Sequence, residues 1–300
     1  MDFTTNDPQN NEQPQSLHWS KDRLHADVQR AVGGPLNLIR ELSLVSFHFH
    51  PAIEADWIVK RVKFLSYDLH SLVKDDTEVA ERLAILNRFF FETEKFQCTG
   101  RDSACSLSNE KAGALQLHRV LTTRKGAPTV LALLYSFLAE TIGVQLDFID
   151  LKPSCFLKWC TDGKARFIDM IRAGSTISKD ELIESMHSRF SRPEFSHTTL
   201  LDIYSFDSYL CDYLLDLRES LEVTIDPEHL LYLQNLLISY QPSNLHLVGE
   251  RAILHRRIGN FKSALADLKR YFAFNDKLRA PPELIRLNDE LIALIDRSKS

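Results

Sequence analysis

The chain has no long hydrophobic run. Its longest apolar stretch, Val130–Ala139, is interrupted by Tyr135 and Ser136 and closed by Glu140, far short of the roughly 20 residues that cross a bilayer. The opening residues, MDFTTNDPQNNEQPQS, lack the basic and apolar segments of a secretory leader. Their Asn, Gln, Pro and Asp content predicts a disordered tail over residues 1–18. Positive charge is not in excess either: 36 Lys+Arg against 41 Asp+Glu give a net charge of −5. No broad basic field is available for nucleic acid or an anionic membrane. There is no C-x-x-C pair. The cysteines Cys98, Cys105, Cys155, Cys160 and Cys211 are odd in number and irregular in spacing, which predicts reduced thiols in a cytoplasm and no compact zinc site. A Walker loop, a GxGxxG turn and a GxSxG elbow are all missing, so a phosphate cradle and a serine nucleophile elbow are excluded. No cofactor and no metal are expected.

What is present is an ordinary globular composition. Of 300 residues, 44% are hydrophobic and 26% charged, enough to bury one large core or two smaller ones. The first ordered third reads helical. Ile53, Trp57, Val59, Val62, Phe64, Leu65 and Leu69 recur at near-helical spacing. Thr77 is a candidate N-cap for a second helix with Val79, Leu83, Leu86 and Phe90 on one stripe. Phe89, Phe90 and Phe91 read as core with one exposed edge. The polar stretch from Gln97 to Gly113 reads as a surface loop.

The centre of the chain is the most informative. Gly126 breaks the preceding element, and Pro128 suits the first turn of a helix. From Thr129 to Ile142 that helix is apolar almost all round, which predicts burial, and Gly143 supplies its stop. Val144, Leu146 and Phe148 then alternate with polar residues as a half-buried strand. CFLKWC and ARFIDM flank Asp162-Gly163, a hairpin signal. The expected fold class is α+β, predominantly helical, with a small antiparallel sheet.

After Ser175 every segment reads as helix: KDELIESMHSRF, TLLDIYSFDSYLCDYLLDLRESLE, PEHLLYLQNLLISY, LHLVGERAILHRRIGN, FKSALADLKRYFAFN and PPELIRLNDELIALIDRS. Ala252, Gly259, Phe261, Ala264 and Leu268 fall at the small, turn and packing positions of a tetratricopeptide-like repeat, while Tyr271 stands where that repeat usually has alanine. The expected division is a tail over 1–18, a helical part plus core over 19–195, and a helical tetratricopeptide-like domain over 196–300. The charge is uneven as well. From 241 to 300 there are 11 Lys+Arg and 7 Asp+Glu, so this segment carries +4 and the rest −9.

LNRFFFETEKF (86–96), RKGAPTVLALLYSFLAETIGV (124–144), KPSCFLKW (152–159), FIDM (167–170) and ERAILHRRIGNFKSALADLKRYF (250–272) together resemble the SirB-type transglutaminase-like family of bacteria. That resemblance implies a transglutaminase-like core followed by tetratricopeptide-type helices. It also implies where a Cys-His-Asp triad would stand. The nucleophilic cysteine of an active transglutaminase would fall at about Pro128, a position at which the SirB-type family does not generally keep that cysteine either. The histidine of the family's Pro-Gly-His-Phe falls at Cys155 in Pro153-Ser154-Cys155-Phe156, and the acid falls at Asp169. Pro128 has no nucleophile, and a thiol does not serve as a neutral-pH base as imidazole does. Asp169 then has no imidazole to orient.

The sequence therefore predicts a non-catalytic protein-interaction or regulatory protein on a degenerate scaffold, cytoplasmic, with a protein or peptide partner. The alternative is a thiol-dependent hydrolase or acyltransferase using Cys155 as a relocated nucleophile with His118 nearby. Set against that alternative, Cys155 reads as a small buried hydrophobe and Asp169 as a side chain that fixes the loop after its strand. His48 and His50 could ligate a metal but have no ligand cluster at matching spacing. Arg256, Arg257, Lys262, Lys269 and Arg270 form a basic patch that is either partner-binding or a solvated helical face.

Overall fold

A computed structural model of the chain describes residues 35–50, 52–53, 55–99, 108–151, 154–161, 163–190, 205–222 and 226–297. The expected tail, Cys105, Pro153 and Asp162 lie outside the described residues. Helices α1 (Pro35–Phe49), α2 (Ala55–His70) and α3 (Val79–Arg88) come first, and α3 runs into a π-helical turn, Phe89–Thr93. β1 (Gln97–Cys98), α4 (Ser108–Leu115), α5 (Leu117–Thr123) and β2 (Lys125–Gly126) lead to the central helix α6 (Pro128–Thr141). Strands β3 (Asp147–Leu151), β4 (Ser154–Thr161), β5 (Lys164–Asp169) and β6 (Ser175–Ile177) follow. Then come α7 (Lys179–Phe190), α8 (Phe206–Leu221), α9 (Pro227–Tyr240), α10 (Leu245–Arg257), α11 (Phe261–Phe272) and α12 (Pro282–Arg297). The fold is α+β and predominantly helical, as the sequence predicts.

α6 forms where expected. Pro128 takes the first helical position, where its missing N–H costs no hydrogen bond. Every residue from Val130 to Ala139 is buried, and Gly143 ends the helix with φ 74°. The four-stranded sheet is antiparallel in the order β3-β4-β5-β6. Alternate residues of its strands feed two layers. Phe148, Cys155, Leu157, Trp159, Ile168 and Met170 join the main core around α6. Ile149, Leu151, Phe156 and Phe167 form a smaller core with Leu182 and Met186 of α7. The sheet is thus covered by α6 on one face and α7 on the other. The main core continues into α8 and α9 through Tyr209, Tyr213, Leu217, Leu233 and Leu237. A third cluster joins α10, α11 and α12.

The structure corrects several local expectations. On α2 the buried stripe is Ile58, Val62, Leu65 and Leu69, while Trp57 and Phe64 are 41% and 55% exposed. The near-helical pattern in the sequence mixed both faces. Thr77 does not cap α3; its hydroxyl accepts from the Lys74 amide at 3.2 Å, and Glu78 stands at the N-cap without a side-chain bond. Part of the stretch read as surface loop is α4, which buries Ala112 and Leu115. In the triple-Phe run, Phe89 and Phe90 are buried and Phe91 is half-buried, as expected.

α10 and α11 make a helical hairpin closed by Gly259 at φ 77°, with Ala252, Ala264 and Leu268 fully buried. Tyr271 fits because Gly249 faces it: a Cβ there would lie 3.2 Å from the Tyr271 ring and 2.7 Å from Leu284.

Candidate functional site

The candidate site lies where the start of α6 meets the sheet. A helix N-terminus offers unpaired amides and a positive dipole end, which lower a thiol's pKa when one is placed there. Pro128 occupies that place, and the N-cap Ala127 contributes no side-chain bond. Cys155 lies on β4 across from Asp150 of β3. Its thiol points into the α6 layer and is only 5% exposed.

A side chain absent from the sequence expectation joins these two elements. Tyr209, from the first turn of α8, donates its hydroxyl to the Thr129 carbonyl, one residue after Pro128. The same phenol is hydrogen-bonded to the Cys155 side chain. Its ring lies 4.4 Å from that of Phe148. Burial first, and then the facing Cys155 and Tyr213, hold the phenol neutral far above the usual tyrosine range. One turn on, the Tyr213 hydroxyl donates to the Leu115 carbonyl at 2.8 Å. The space between the α6 start and β4 is therefore filled by aromatic rings. Tyr209 lies 80 residues from Thr129, and no local pattern marks it. The only hint is a pair of tyrosines four apart on one helix.

Asp169 stands elsewhere. It pairs across the sheet with Phe156, not with Cys155. Directly opposed residues share a face and neighbours alternate, so Asp169 lies on the α7 side and Cys155 on the α6 side. Its carboxylate is fully buried. Oδ1 accepts from the amides of Ile171 at 2.9 Å and Arg172 at 3.3 Å, and Oδ2 lies 3.8 Å from the Arg172 guanidinium. Asp169 thus closes the turn after β5. That turn ends in Ala173 and Gly174, both at positive φ. Gly174 abuts the π-helical turn so tightly that a Cβ there would lie 1.9 Å from Asn87 Oδ1 and 2.6 Å from Phe91. Asn87 in turn donates to the Ala173 carbonyl at 3.3 Å and accepts from the Tyr135 hydroxyl at 3.4 Å. Two of the sequence segments singled out above, 86–96 and 124–144, meet the end of the turn at this contact.

His118 is buried on α5 with its ring 4.7 Å from that of His50. Burial, then His50 and Arg119, pushes it down to about 4. Its ring neighbour is thus His50 rather than Cys155. His48 stacks on Tyr232, and His50 pairs with Gln116 at 3.1 Å. Among the described residues no group of three or more His, Cys, Asp or Glu is arranged to hold a metal.

In the basic patch, Arg256 pairs with Glu290 at 2.5 Å and lies over the Phe261 ring. Arg257 is 4.0 Å from Glu222, and Arg270 donates to the Pro242 carbonyl. Lys262 and Lys269 are exposed. Cys160 is exposed, Cys98 half-buried and Cys211 buried, and burial pushes the Cys211 thiol up to about 11.

A buried helix starting against an antiparallel sheet, with strands leading directly from it, is the core architecture of papain-like and transglutaminase-like proteins. A family model described as the transglutaminase-like superfamily matches residues 56–205, and the chain belongs to that superfamily. No curated protein matches it. Among solved structures it is similar to a crystal structure of menin described as revealing the binding site for Mixed Lineage Leukemia (MLL) protein. The identity is 11% and the TM-score 0.36, over 82% of this chain and 68% of that one.

Proposed function

We propose that the chain is a non-catalytic protein-interaction or regulatory protein on a transglutaminase-like core. The observation that carries this reading is Tyr209. Its side chain fills the place where a substrate carbonyl would have to meet a nucleophile, and its hydroxyl is engaged by Thr129 and Cys155. An acyl transfer needs a thiolate, a base within hydrogen-bond reach and an orienting acid. Here a proline stands at the nucleophile position, the thiol is buried, and the acid lies across the sheet. Cys155 and Asp169 act as packing and turn-closing residues. Thiol-dependent hydrolysis or acyl transfer through Cys155 is the competing reading, and it requires an exposed thiolate.

Within the superfamily, the quoted motifs fit the SirB-type branch of bacteria, and the α10–α11 hairpin fits a tetratricopeptide-type tail over residues 196–300. The interaction surface is assigned to that tail, with Lys262 and Lys269 as its solvent-facing cations and Arg256, Arg257 and Arg270 beside them. Its partner is a protein or peptide with an acidic face, in the cytoplasm.

The test has two arms. Native protein is used as bait beside the Lys262→Glu/Lys269→Glu variant, and a genuine partner is retained by the first and lost by the second. Equal recovery on both baits removes the surface assignment. Separately, thioester or amide turnover abolished by Cys155→Ser would overturn the non-catalytic reading.

A further inference from the structure

We propose that the outward face of α2 is a docking surface for an acidic amphipathic helix of a partner protein. α2 buries Ile58, Val62, Leu65 and Leu69 in the main core. At 3.6 residues per turn, Trp57, Lys60, Phe64 and Tyr67 fall on the side turned away from that stripe. Trp57, Phe64 and Tyr67 are all exposed, the last by 74%. Lone apolar side chains on a surface are ordinary. Here they are concentrated: of nine exposed large hydrophobics among the described residues, four lie between Trp57 and Leu72. Aromatic rings with an arginine among them have the composition of an interface centre, where Trp, Tyr and Arg carry most of the binding energy.

Charge selects the occupant. Lys60, Arg61 and Lys63 stand in the middle of the helix, and the Arg61 guanidinium lies 5.7 Å from the Phe64 ring centroid. Lys60 and Lys63 are exposed. None of the three cations is ion-paired with a carboxylate among the described residues. The helix's own carboxylates, Asp56 and Asp68, lie towards its two ends. The centre of the face is therefore aromatic and cationic. It complements a segment that presents apolar residues along one stripe with Asp or Glu beside them. α2 has 16 residues and is about 24 Å long, a straight ridge along which a second helix can lie with its apolar face inward.

The positive field is local. The chain carries −5 overall, and salt screens charges beyond about 8 Å under physiological conditions. A short acidic helix meets only the cationic centre of α2. A nucleic acid or an anionic bilayer extends past it, over a chain of net negative charge. A second copy of this chain is a poor match. The exposed Ile292 and Leu294 of α12 stand beside Asp289 and Glu290, which are already paired with Lys277 and Arg256. The α2 face is separate from the tail surface assigned above and does not rest on it.

The test is selection of helical peptides from a displayed library against the full chain, followed by affinity measurement with the synthetic peptides recovered. Those peptides are expected to carry apolar residues at helical spacing with Asp or Glu beside them. Their affinity should fall about tenfold or more for Phe64→Ala/Tyr67→Ala and for Lys60→Glu/Lys63→Glu. It should stay unchanged for Lys262→Glu/Lys269→Glu. The charge-reversed α2 variant keeps every aromatic ring, and it carries the comparison should the aromatic variant not fold. Recovered peptides that are neutral or basic, an affinity indifferent to the α2 substitutions, an affinity lost with Lys262 and Lys269, or no specific binder at all would each overturn the proposal. So would binding of the native chain to phosphatidylserine vesicles, to a single-stranded oligonucleotide or to itself that the α2 variants abolish.

Discussion

The hydroxyl of Tyr209 ties the Thr129 carbonyl at the start of α6 to the Cys155 side chain on β4. Removing only that oxygen leaves a carbonyl and a thiol facing a dry ring. Tyr209→Phe is therefore expected to cost about 1–3 kcal/mol, the penalty for stranded buried polar groups. Tyr209→Ala opens a cavity as well and should cost about 3–5 kcal/mol. Urea unfolding measures both.

The same contact governs access to the thiol. In native protein Cys155 should react with an alkylating reagent far more slowly than the exposed Cys160. Tyr209→Ala should accelerate labelling at Cys155 and leave Cys160 unchanged. Mass-spectrometric mapping of labelled peptides reads this out. Rapid labelling of Cys155 in native protein would contradict the packing described above.

Asp169 offers a contrast between two substitutions. Asp169→Asn keeps an oxygen for the Ile171 and Arg172 amides and should cost no more than about 1–2 kcal/mol. Asp169→Ala leaves two amides unsatisfied and should cost about 2–4 kcal/mol. A residue with a catalytic role would not be expected to follow this order, because Asn also abolishes a carboxylate's charge.

Gly174 and Gly163 share a positive φ but differ in surroundings. A Cβ at Gly163 meets nothing within 4 Å, whereas one at Gly174 collides with Asn87 and Phe91. Gly163→Ala should therefore cost only the backbone term, about 1–2 kcal/mol. Gly174→Ala should cost clearly more, since the π-helical turn must move as well. Thermal unfolding of the two variants side by side is the measurement.

Glu41 gives a pH dependence of defined sign. Its carboxyl is raised from 4.5 to about 7, chiefly by burial. The folded state therefore holds the proton more tightly than the unfolded state. That stabilisation is complete below about 4.5 and is lost as the pH rises through about 7. Glu41→Gln keeps an acceptor for Tyr240 without the titration. It should raise stability at pH 8 relative to native protein and change it much less at pH 5. His118, lowered to about 4, acts oppositely: its contribution is present above 6.5 and lost as the pH falls towards 4.

Much of the fold was legible in the sequence because local chemistry agreed with global packing. Pro227 at a helix start, Pro128 before an all-apolar run and Gly259 between two periodic segments each mark a boundary that the structure keeps. The β4–β5 hairpin follows from the Asp162-Gly163 signal and alternation on either side. What was not legible depends on contacts distant along the chain. β1 and β2 have two residues each, and their parallel pairing joins Gln97 to Lys125, which no short pattern can announce. The close approach of Gly174 to Asn87 and Phe91 joins segments more than 80 residues apart. At the site, the three positions were legible one by one, but not the Tyr209 phenol among them, nor the side of the sheet that Asp169 takes.

The opposition of Phe156 and Asp169 sets a rule of parity for the site. Point substitutions that restored a cysteine at 128 and an imidazole at 155 would still leave the carboxylate under the sheet. Only the gain or loss of one residue within β5 would bring it over, and that step inverts the strand. Phe167 would then be thrust into the α6 layer and Ile168 into the α7 layer. The scaffold can thus be refitted with reactive groups more readily than it can be rewired to make them cooperate.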